Sequence, residues 1–293
     1  MKIRAVIIAV LVIVFCAAAG RSYAEPELVI GLIPEDNIFE EIKQFRAVAA
    51  YLTKKTGIRI KMTVLSRYGD VIDRFASRGL DGAFFGFFTS VLAMEKLGVE
   101  PVVRPVWTDG SEASQSFIFV RNGSGIKNAA DMNGKRIAFV DRATVTGYLY
   151  AMAYLRDHGI SSPERYFREI SFAGNSSSTV YAVLDNRADV GVAKSKLFNR
   201  LVQKDPLIKE ELAVIERSPA YPDLTLCLRR DLPKDMAKTL QEAALRMDKD
   251  PEGSAILKKN GMLRFNAASA GDFKPFADLA RRAGISLRTY RYK

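Results

Sequence analysis

Apolar β-branched runs and helix-period segments alternate twice along this chain, which limits it to a layered α/β fold. The first set opens with residues 28–33 (LVIGLI), a buried strand by composition. A helix over 40–55 follows. Ile42, Phe45, Val48 and Leu52 recur at three- and four-residue intervals, and Gly57 lies just past its end. Residues 58–65 alternate as a strand, 69–79 form a short helix closed by Gly79, 80–86 form a strand, and 89–98 form a helix started by Thr89 or Ser90. Residues 101–107 read as a peripheral strand, because Pro105 has no N–H for a neighbour.

The second set repeats the plan. Strands are expected at 116–121, 135–140, 168–173, 189–193, 212–216 and 224–229, and helices at 126–134, 146–159, 177–188 and 196–204. The remaining tail is helical in pieces. Both sets contain a helix end, an aspartate (Asp81, Asp189), a buried strand with a glycine, and a polar helix start. Two similar lobes imply a cleft, and ligands of open α/β sheets sit at the carboxyl ends of the strands. The expected fold has two lobes, each a mostly parallel sheet flanked by helices. Residues 1–24 precede it, 25–113 begin lobe 1, 114–225 form lobe 2, and 226–293 return to lobe 1. The strands at 116–121 and 223–230 are expected to cross between the lobes.

The N-terminus sets the compartment. Lys2 and Arg4 precede an apolar run from Ala5 to Ala19, and Ser22-Tyr23-Ala24 has small residues where a secretory leader is cut. The run is short of the ~20 residues that span a bilayer. Bulky Phe15 before Cys16 argues against a lipid anchor. A soluble, periplasmic protein is expected. Its one cysteine, Cys227, lies in an apolar run as a buried thiol.

With 48% hydrophobic and 26% charged residues, the chain is not disordered. One histidine and two cysteines leave little material for a zinc site or a histidine-centred triad, so no metal, cofactor or catalytic residue is expected. His158 sits at a helix C-terminus, a favourable place for a cation. The net charge of +11, or +8 without Lys2, Arg4 and Arg21, is scattered rather than striped. It suits solubility and an anionic envelope better than nucleic acid.

The strongest chemical feature is a set of hydroxyl-rich helix starts after strand ends: Thr144-Val145-Thr146-Gly147-Tyr148, Asn175-Ser176-Ser177-Ser178-Thr179, and Phe88-Thr89-Ser90. Free first-turn N–H groups and hydroxyls suit a tetrahedral oxyanion. Taken singly, each start needs no ligand, because a Ser or Thr cap stabilises a helix by about 1 kcal/mol. Their equivalent placement in two lobes is what points to a site. Lys194, at a strand end, can meet a ligand anion, clamp the lobes through an acid opposite, or simply be solvated. Glu35 and Asp36 can bind an ammonium or complement a helix dipole. Phe84, Phe85, Phe87, Phe88 and Trp107 read mainly as core or hinge, with Phe87 and Phe88 nearest the cleft.

The segments VIGLIPEDN…YLTKKTGIRI, GLDGAFFGFFTSVLA, GIKNAADMNGKRIAFVDRATVTGYLYAMAYLRDHGI, FAGNSSSTVYAVLDNRADVGVAK and ERSPAYPDLTLCLRRDLP resemble, in that order, the phosphonate/phosphate/phosphite-type periplasmic binding proteins of ABC importers. The resemblance spans roughly 27–250. It implies a type II periplasmic-binding-protein fold that closes by a hinge on a small oxyanion. In that family a Ser-Thr-Ser-Gly-Tyr-like segment opens the anion-holding helix. Thr144, Thr146, Gly147 and Tyr148 match it, with Val145 in place of a hydroxyl residue. Tyr68 matches by position a tyrosine that closes over the ligand. Elsewhere the chain departs. Gly174-Asn175-Ser176 replaces Gly-Ser-His, Gly86-Phe87-Phe88-Thr89-Ser90 replaces Gly-Pro-Leu-Ser-Tyr, and Ser111 follows Asp109-Gly110 where a tyrosine is usual. Fold and role survive these changes, whereas phosphonate as the ligand does not follow.

The expected ligand set is therefore Thr144, Thr146, Gly147, Tyr148, Asn175, Ser176, Ser177, Thr89, Ser90, Tyr68, Glu35 and Lys194. The expected function is capture of a small oxyanion and delivery to an ABC permease by a monomer. The alternative is a periplasmic sensor of the same fold feeding a membrane kinase or chemoreceptor.

Overall fold

The computed structural model describes residues 26–33, 38–65, 72, 75, 77 and 79–290. The proposed leader with Cys16, the residues Glu35, Asp36 and Tyr68, and most of the helix expected at 69–79 lie outside the described residues. Among the described residues no helix is long and apolar enough to cross a membrane.

The first sheet contains β1 (Glu27–Leu32), β2 (Arg59–Val64), β3 (Gly82–Phe85), β4 (Val99–Trp107), β12 (Thr225–Arg229) and β13 (Met262–Ala267), in the order β13-β4-β12-β3-β1-β2. The second contains β6 (Ser116–Arg121), β7 (Arg136–Phe139), β8 (Glu169–Phe172), β9 (Val190–Lys194) and β10 (Leu212–Arg217), in the order β10-β6-β9-β7-β8. Between them β5 (Ala113–Ser114) and β11 (Tyr221–Pro222) form a two-stranded antiparallel ribbon. The helices are α1 (Ile38–Thr56), α2 (Phe87–Leu97), α3 (Tyr150–Asp157), α4 (Pro163–Tyr166), α5 (Ser176–Leu184), α6 (Ser195–Lys204), α7 (Pro206–Glu211), α8 (Lys234–Leu245), α9 (Pro251–Lys259) and α10 (Phe276–Ala283).

Strands β1, β2 and β3 pair in parallel, as do β7, β8 and β9. The remaining pairs are antiparallel, so each sheet is mostly parallel in strand direction but mixed in pairing. The cause is the crossing. A strand that arrives from the other lobe enters at the carboxyl ends of the parallel strands and must run against them. β6 does this beside β9, and β12 does it beside β3. The crossing itself is made by β5 and β11, just ahead of the two segments expected to make it.

The strand with Pro105 is not peripheral. β4 lies between β12 and β13, and register shifts at Leu226/Cys227 and Met262/Arg264 fall beside Pro101 and Pro105. Bulges are where a sheet interior tolerates proline. The return segment is also shared. β12, α8, α9 and β13 belong with the first sheet, but α10 packs on α3 of the second lobe. Its apolar face (Phe276, Leu279, Ala283) is buried there, and Arg282 bonds Asp157.

The echo between the two sets is structural. Asp81 takes the Val29 N–H on its carboxylate at 2.7 Å and gives its own N–H to the Val29 carbonyl at 2.9 Å. Asp189 does the same with Arg136, at 2.9 Å each way. Each aspartate fixes the start of a central strand, and a glycine follows where the crossing strand comes close. A Cβ on Gly191 would lie 2.4 Å from Phe119 of β6, and one on Gly82 would lie 2.7 Å from the Cys227 carbonyl of β12. Apolar clusters back the sheets: Leu28, Ile30, Phe45, Leu52 and Leu240 in the first lobe, and Phe119, Val180, Val183 and Phe198 in the second. A third cluster joins the lobes. Phe87 stacks on Phe273 and Phe88 on Phe276, while Tyr290 meets the edge of Phe88.

Two outcomes follow from this frame. Gly191→Ala should destabilise the protein by about 1–3 kcal/mol, because Phe119 cannot yield that much space in a packed sheet; urea unfolding reads it. Hydrogen bonds from the Arg136 guanidinium, outweighing partial burial, hold the Asp189 carboxyl at about 2 against an ordinary 3.8. A depressed acid stabilises the fold above its unfolded value and loses that stabilisation as pH falls toward its folded one. Between pH ~4 and ~2, unfolding free energy should therefore drop by about 1–2 kcal/mol more in the native protein than in Asp189→Asn.

Candidate anion-binding site

At the carboxyl end of β7 the chain turns through Asp141–Thr144 into a five-residue π-turn, Val145–Leu149, that leads into α3. The Val140 N–H bonds the Gly147 carbonyl at 3.0 Å, which folds the turn back on its strand. Only glycine fits there: a Cβ on Gly147 would sit 2.4 Å from the Val140 Cβ. The Ser116 hydroxyl of β6 donates to the Thr146 carbonyl at 2.7 Å and pins the turn from the other side. The first-turn N–H groups then point outward without intrahelical partners.

These groups open into a recess of ≈ 40 Å³, room for a small group and little else. Thr144, Val145, Thr146 and Gly147 line one side. Gly86, Phe87 and Phe88, the start of α2, line the side given by the first lobe, while Ser114, Tyr221, Pro222 and Asp223 come from the crossing segments and Ser176 and Lys194 close it. The recess thus lies between the lobes, at strand carboxyl ends.

A buried ion cluster forms its floor. The Lys194 Nζ lies 2.6 Å from Asp223 Oδ1, Ser114 donates to Asp223 Oδ2 at 2.8 Å, and Lys196 Nζ stands 3.5 Å from the same oxygen. Asp223 is 4% exposed and Lys194 is 8%. Burial by itself would raise the Asp223 carboxyl, but the two ammoniums and the hydrogen bonds from Lys194 and Ser114 outweigh it and hold it below the usual carboxylate range. Burial lowers the Lys196 pKa, with Asp223 and Asp109 opposing. Lys194 and Lys196 thus place two ammoniums around Asp223, with Asp109 acting on Lys196 as well.

The recess gathers five of the residues expected from sequence: Thr144, Thr146, Gly147, Ser176 and Lys194. Their roles differ in detail. The Thr144 hydroxyl donates to the Asp141 carbonyl at 2.6 Å instead of capping the helix. The Thr146 hydroxyl finds no partner among the described residues. Ser176 accepts the Lys194 N–H at 3.2 Å and so locks the strand end to α5. Lys194 meets an acid on the crossing segment, which is the clamp among its three readings.

Five others fall elsewhere. Tyr148 faces away: it packs on Phe139 and Phe172 and accepts from Arg142 at 3.2 Å. Asn175 caps α5 by taking the Ser178 N–H at 2.7 Å, and Ser177 is outside the recess. Thr89 and Ser90 do not start α2. The helix begins at Phe87 with Gly86 as N-cap, so both hydroxyls are buried in its first turn. Thr89 donates to Gly86, and Ser90 accepts from Cys227 at 3.9 Å. Burial pushes the Cys227 thiol up to about 12, which makes it inert. Sequence reasoning missed Asp223, Ser114 and Lys196. An aspartate inside the otherwise apolar YPDLTLCL was a usable signal.

The family described as the ABC transporter, phosphonate, periplasmic substrate-binding protein matches residues 30–273, most of the chain. The chain belongs to this family. A phosphonates-binding periplasmic protein of Escherichia coli is 24% identical over 260 residues, covering 87% of this chain and 76% of the relative. A phosphate-import protein of Mycolicibacterium smegmatis is 28% identical over 200 residues, covering 64% of this chain and 60% of the relative. Among solved structures, a Prochlorococcus marinus protein in complex with methylphosphonate superposes with a TM-score of 0.77 at 20% identity, covering 89% of this chain and 99% of that one. The fold is that of the type II periplasmic binding proteins.

Asp223 gives this binding protein a stability test. Lys194→Met leaves a buried carboxylate with one distant ammonium, and should cost about 3–5 kcal/mol. Replacing both partners, Lys194→Met with Asp223→Leu, should recover part of that loss. Denaturant midpoints of the three proteins check it; a double variant no more stable than the single one would show that the pair contributes packing rather than charge compensation.

Proposed function

We infer that the protein captures a small oxyanion of the phosphonate, phosphate or phosphite class between its lobes and hands it to an ABC importer. The observation that carries this is the recess itself. A glycine-bearing turn at a helix start faces the other lobe across a space of ≈ 40 Å³ beside the buried Lys194–Asp223 pair. The relatives' names, a phosphonates-binding and a phosphate-import protein, agree with that chemistry. The relatives are named as transport components, and no observation favours the sensor reading.

The mechanism is binding by hinge closure. The β5–β11 ribbon carries both crossings between the sheets, and the recess opens when the lobes rotate about it. The anion receives first-turn N–H groups from the α3 side and from the start of α2, so both lobes are needed to complete its shell. Export fits the leader-like residues 1–24 and the periplasmic relatives. Delivery to a permease as a monomer completes the reading, in which no residue has a catalytic role. His158 sits at the end of α3, its Nδ1 2.7 Å from the Tyr154 carbonyl, and takes no part.

Thermal unfolding against phosphate, phosphite, methylphosphonate, 2-aminoethylphosphonate and sulfate tests this. A ligand at about 100 times its Kd stabilises by ≈ 2.7 kcal/mol. For a chain of this size that raises Tm by roughly 5–10 °C. The shift should shrink in Thr146→Ala and vanish in Gly147→Ala. No shift with any anion, or an undiminished shift in both variants, would overturn the reading.

A further inference from the structure

Beside the small recess lies a larger one, of ≈ 440 Å³. The two share Lys194, Leu197 and Asp223, so the buried ion pair is the wall between them. The small one admits little beyond an oxyanion, while the large one falls within the ~300–1,000 Å³ that organic ligands occupy. A ligand that fills both is an oxyanion joined to a substantial organic substituent.

The lining of the large recess specifies that substituent. Leu32, Phe45 and Leu224 offer an apolar side, and Trp107 and Lys196 line the recess together with Glu41, Asp109 and Arg200. Trp107 Nε1 and Lys196 Nζ are both buried and make no hydrogen bond among the described residues, Lys196 having only its 3.5 Å ion pair to Asp223. The Lys196 ammonium lies 4.7 Å from the centroid of the Trp107 ring, a cation–π contact. Buried donors are costly to leave unmatched, and both ask for an acceptor. An alkyl substituent supplies none. Of the acids around the recess, Asp223 is held by Lys194 and Ser114 and Asp109 accepts from Ser111, while Glu41 lines the recess away from the shared wall, so an aminoalkyl substituent would bring an ammonium toward Lys194 and Lys196.

We propose that the ligand is a phosphonate or phosphate monoester whose substituent carries acceptors, a carboxylate above all, with the oxyanion in the small recess and the substituent against Trp107 and Lys196 in the large one. This rests on the oxyanion reading above and adds the substituent class to it.

Calorimetric titration of the purified protein with methylphosphonate, n-butylphosphonate, 2-aminoethylphosphonate and 3-phosphonopropionate tests the proposal. 3-Phosphonopropionate should bind about tenfold or more tightly than each of the other three, the advantage of a hydrogen bond to a charged group. Trp107→Phe keeps the ring and removes the donor, and Lys196→Met keeps the stem and removes the charge. Each should cut the ratio of 3-phosphonopropionate to methylphosphonate affinity at least threefold. Circular dichroism of both variants establishes that they are folded before the ratio is read. Equal affinities, or a preference for 2-aminoethylphosphonate, would overturn the substituent assignment and leave oxyanion capture standing. A preference that survives both substitutions would overturn the placement in the large recess. Binding of none of the four would overturn this proposal together with the reading beneath it.

Discussion

Asp223 is buried where the chain returns from the second lobe to the first, and it can stay ionised there only because two ammoniums and a hydroxyl meet it. Those partners come from separate parts of the fold. Ser114 lies on the outbound crossing segment, Lys194 ends β9, and Lys196 begins α6. The cluster therefore ties both crossing segments to the second lobe at the point where the chain passes between the sheets. It also forms the floor of the small recess and the wall of the large one. Electrostatic compensation, interlobe geometry and the charge presented to a ligand are consequences of one arrangement.

Around that point the two lobes repeat one construction. An aspartate exchanges hydrogen bonds with the start of a neighbouring parallel strand, and a glycine admits an antiparallel strand that has crossed over. The crossing strands enter beside the carboxyl ends of the parallel ones, the same ends from which helix starts project N–H groups. Connection and binding site coincide for that reason. The C-terminal stretch adds a further link, since Phe273 and Phe276 stack on Phe87 and Phe88 at the wall of the small recess while α10 is packed on α3.

Much of this was legible in the residues. Hydrophobic period located most of the strands, though not β13 in a tail read as helical in pieces or the short β5 and β11, and the paired aspartates announced the repeat. The Thr-x-Thr-Gly turn was readable because a close backbone approach requires glycine and an anion requires donors. Thr89, Ser90 and Tyr148 were misread for a shared reason. A hydroxyl near a helix start does not disclose which way it faces, and the cap of α2 at Gly86 rather than at Thr89 or Ser90 turns both hydroxyls inward. Pro105 misled similarly, because the bulge beside it lies in β13 and cannot be read from β4.

Local physics thus determined the elements, the two-lobe plan, the chemical character of the site and the burial of Cys227. Each rests on periodicity or on a preference carried by a few neighbouring residues. Tertiary structure alone decided that Asp223, Ser114, Lys194 and Lys196 form one cluster, that the last helix docks on the second lobe, and that a second recess adjoins the first. Those facts depend on residues far apart in sequence, 109 positions for Ser114 and Asp223 and 125 for Asp157 and Arg282, which only the folded chain brings within hydrogen-bonding distance.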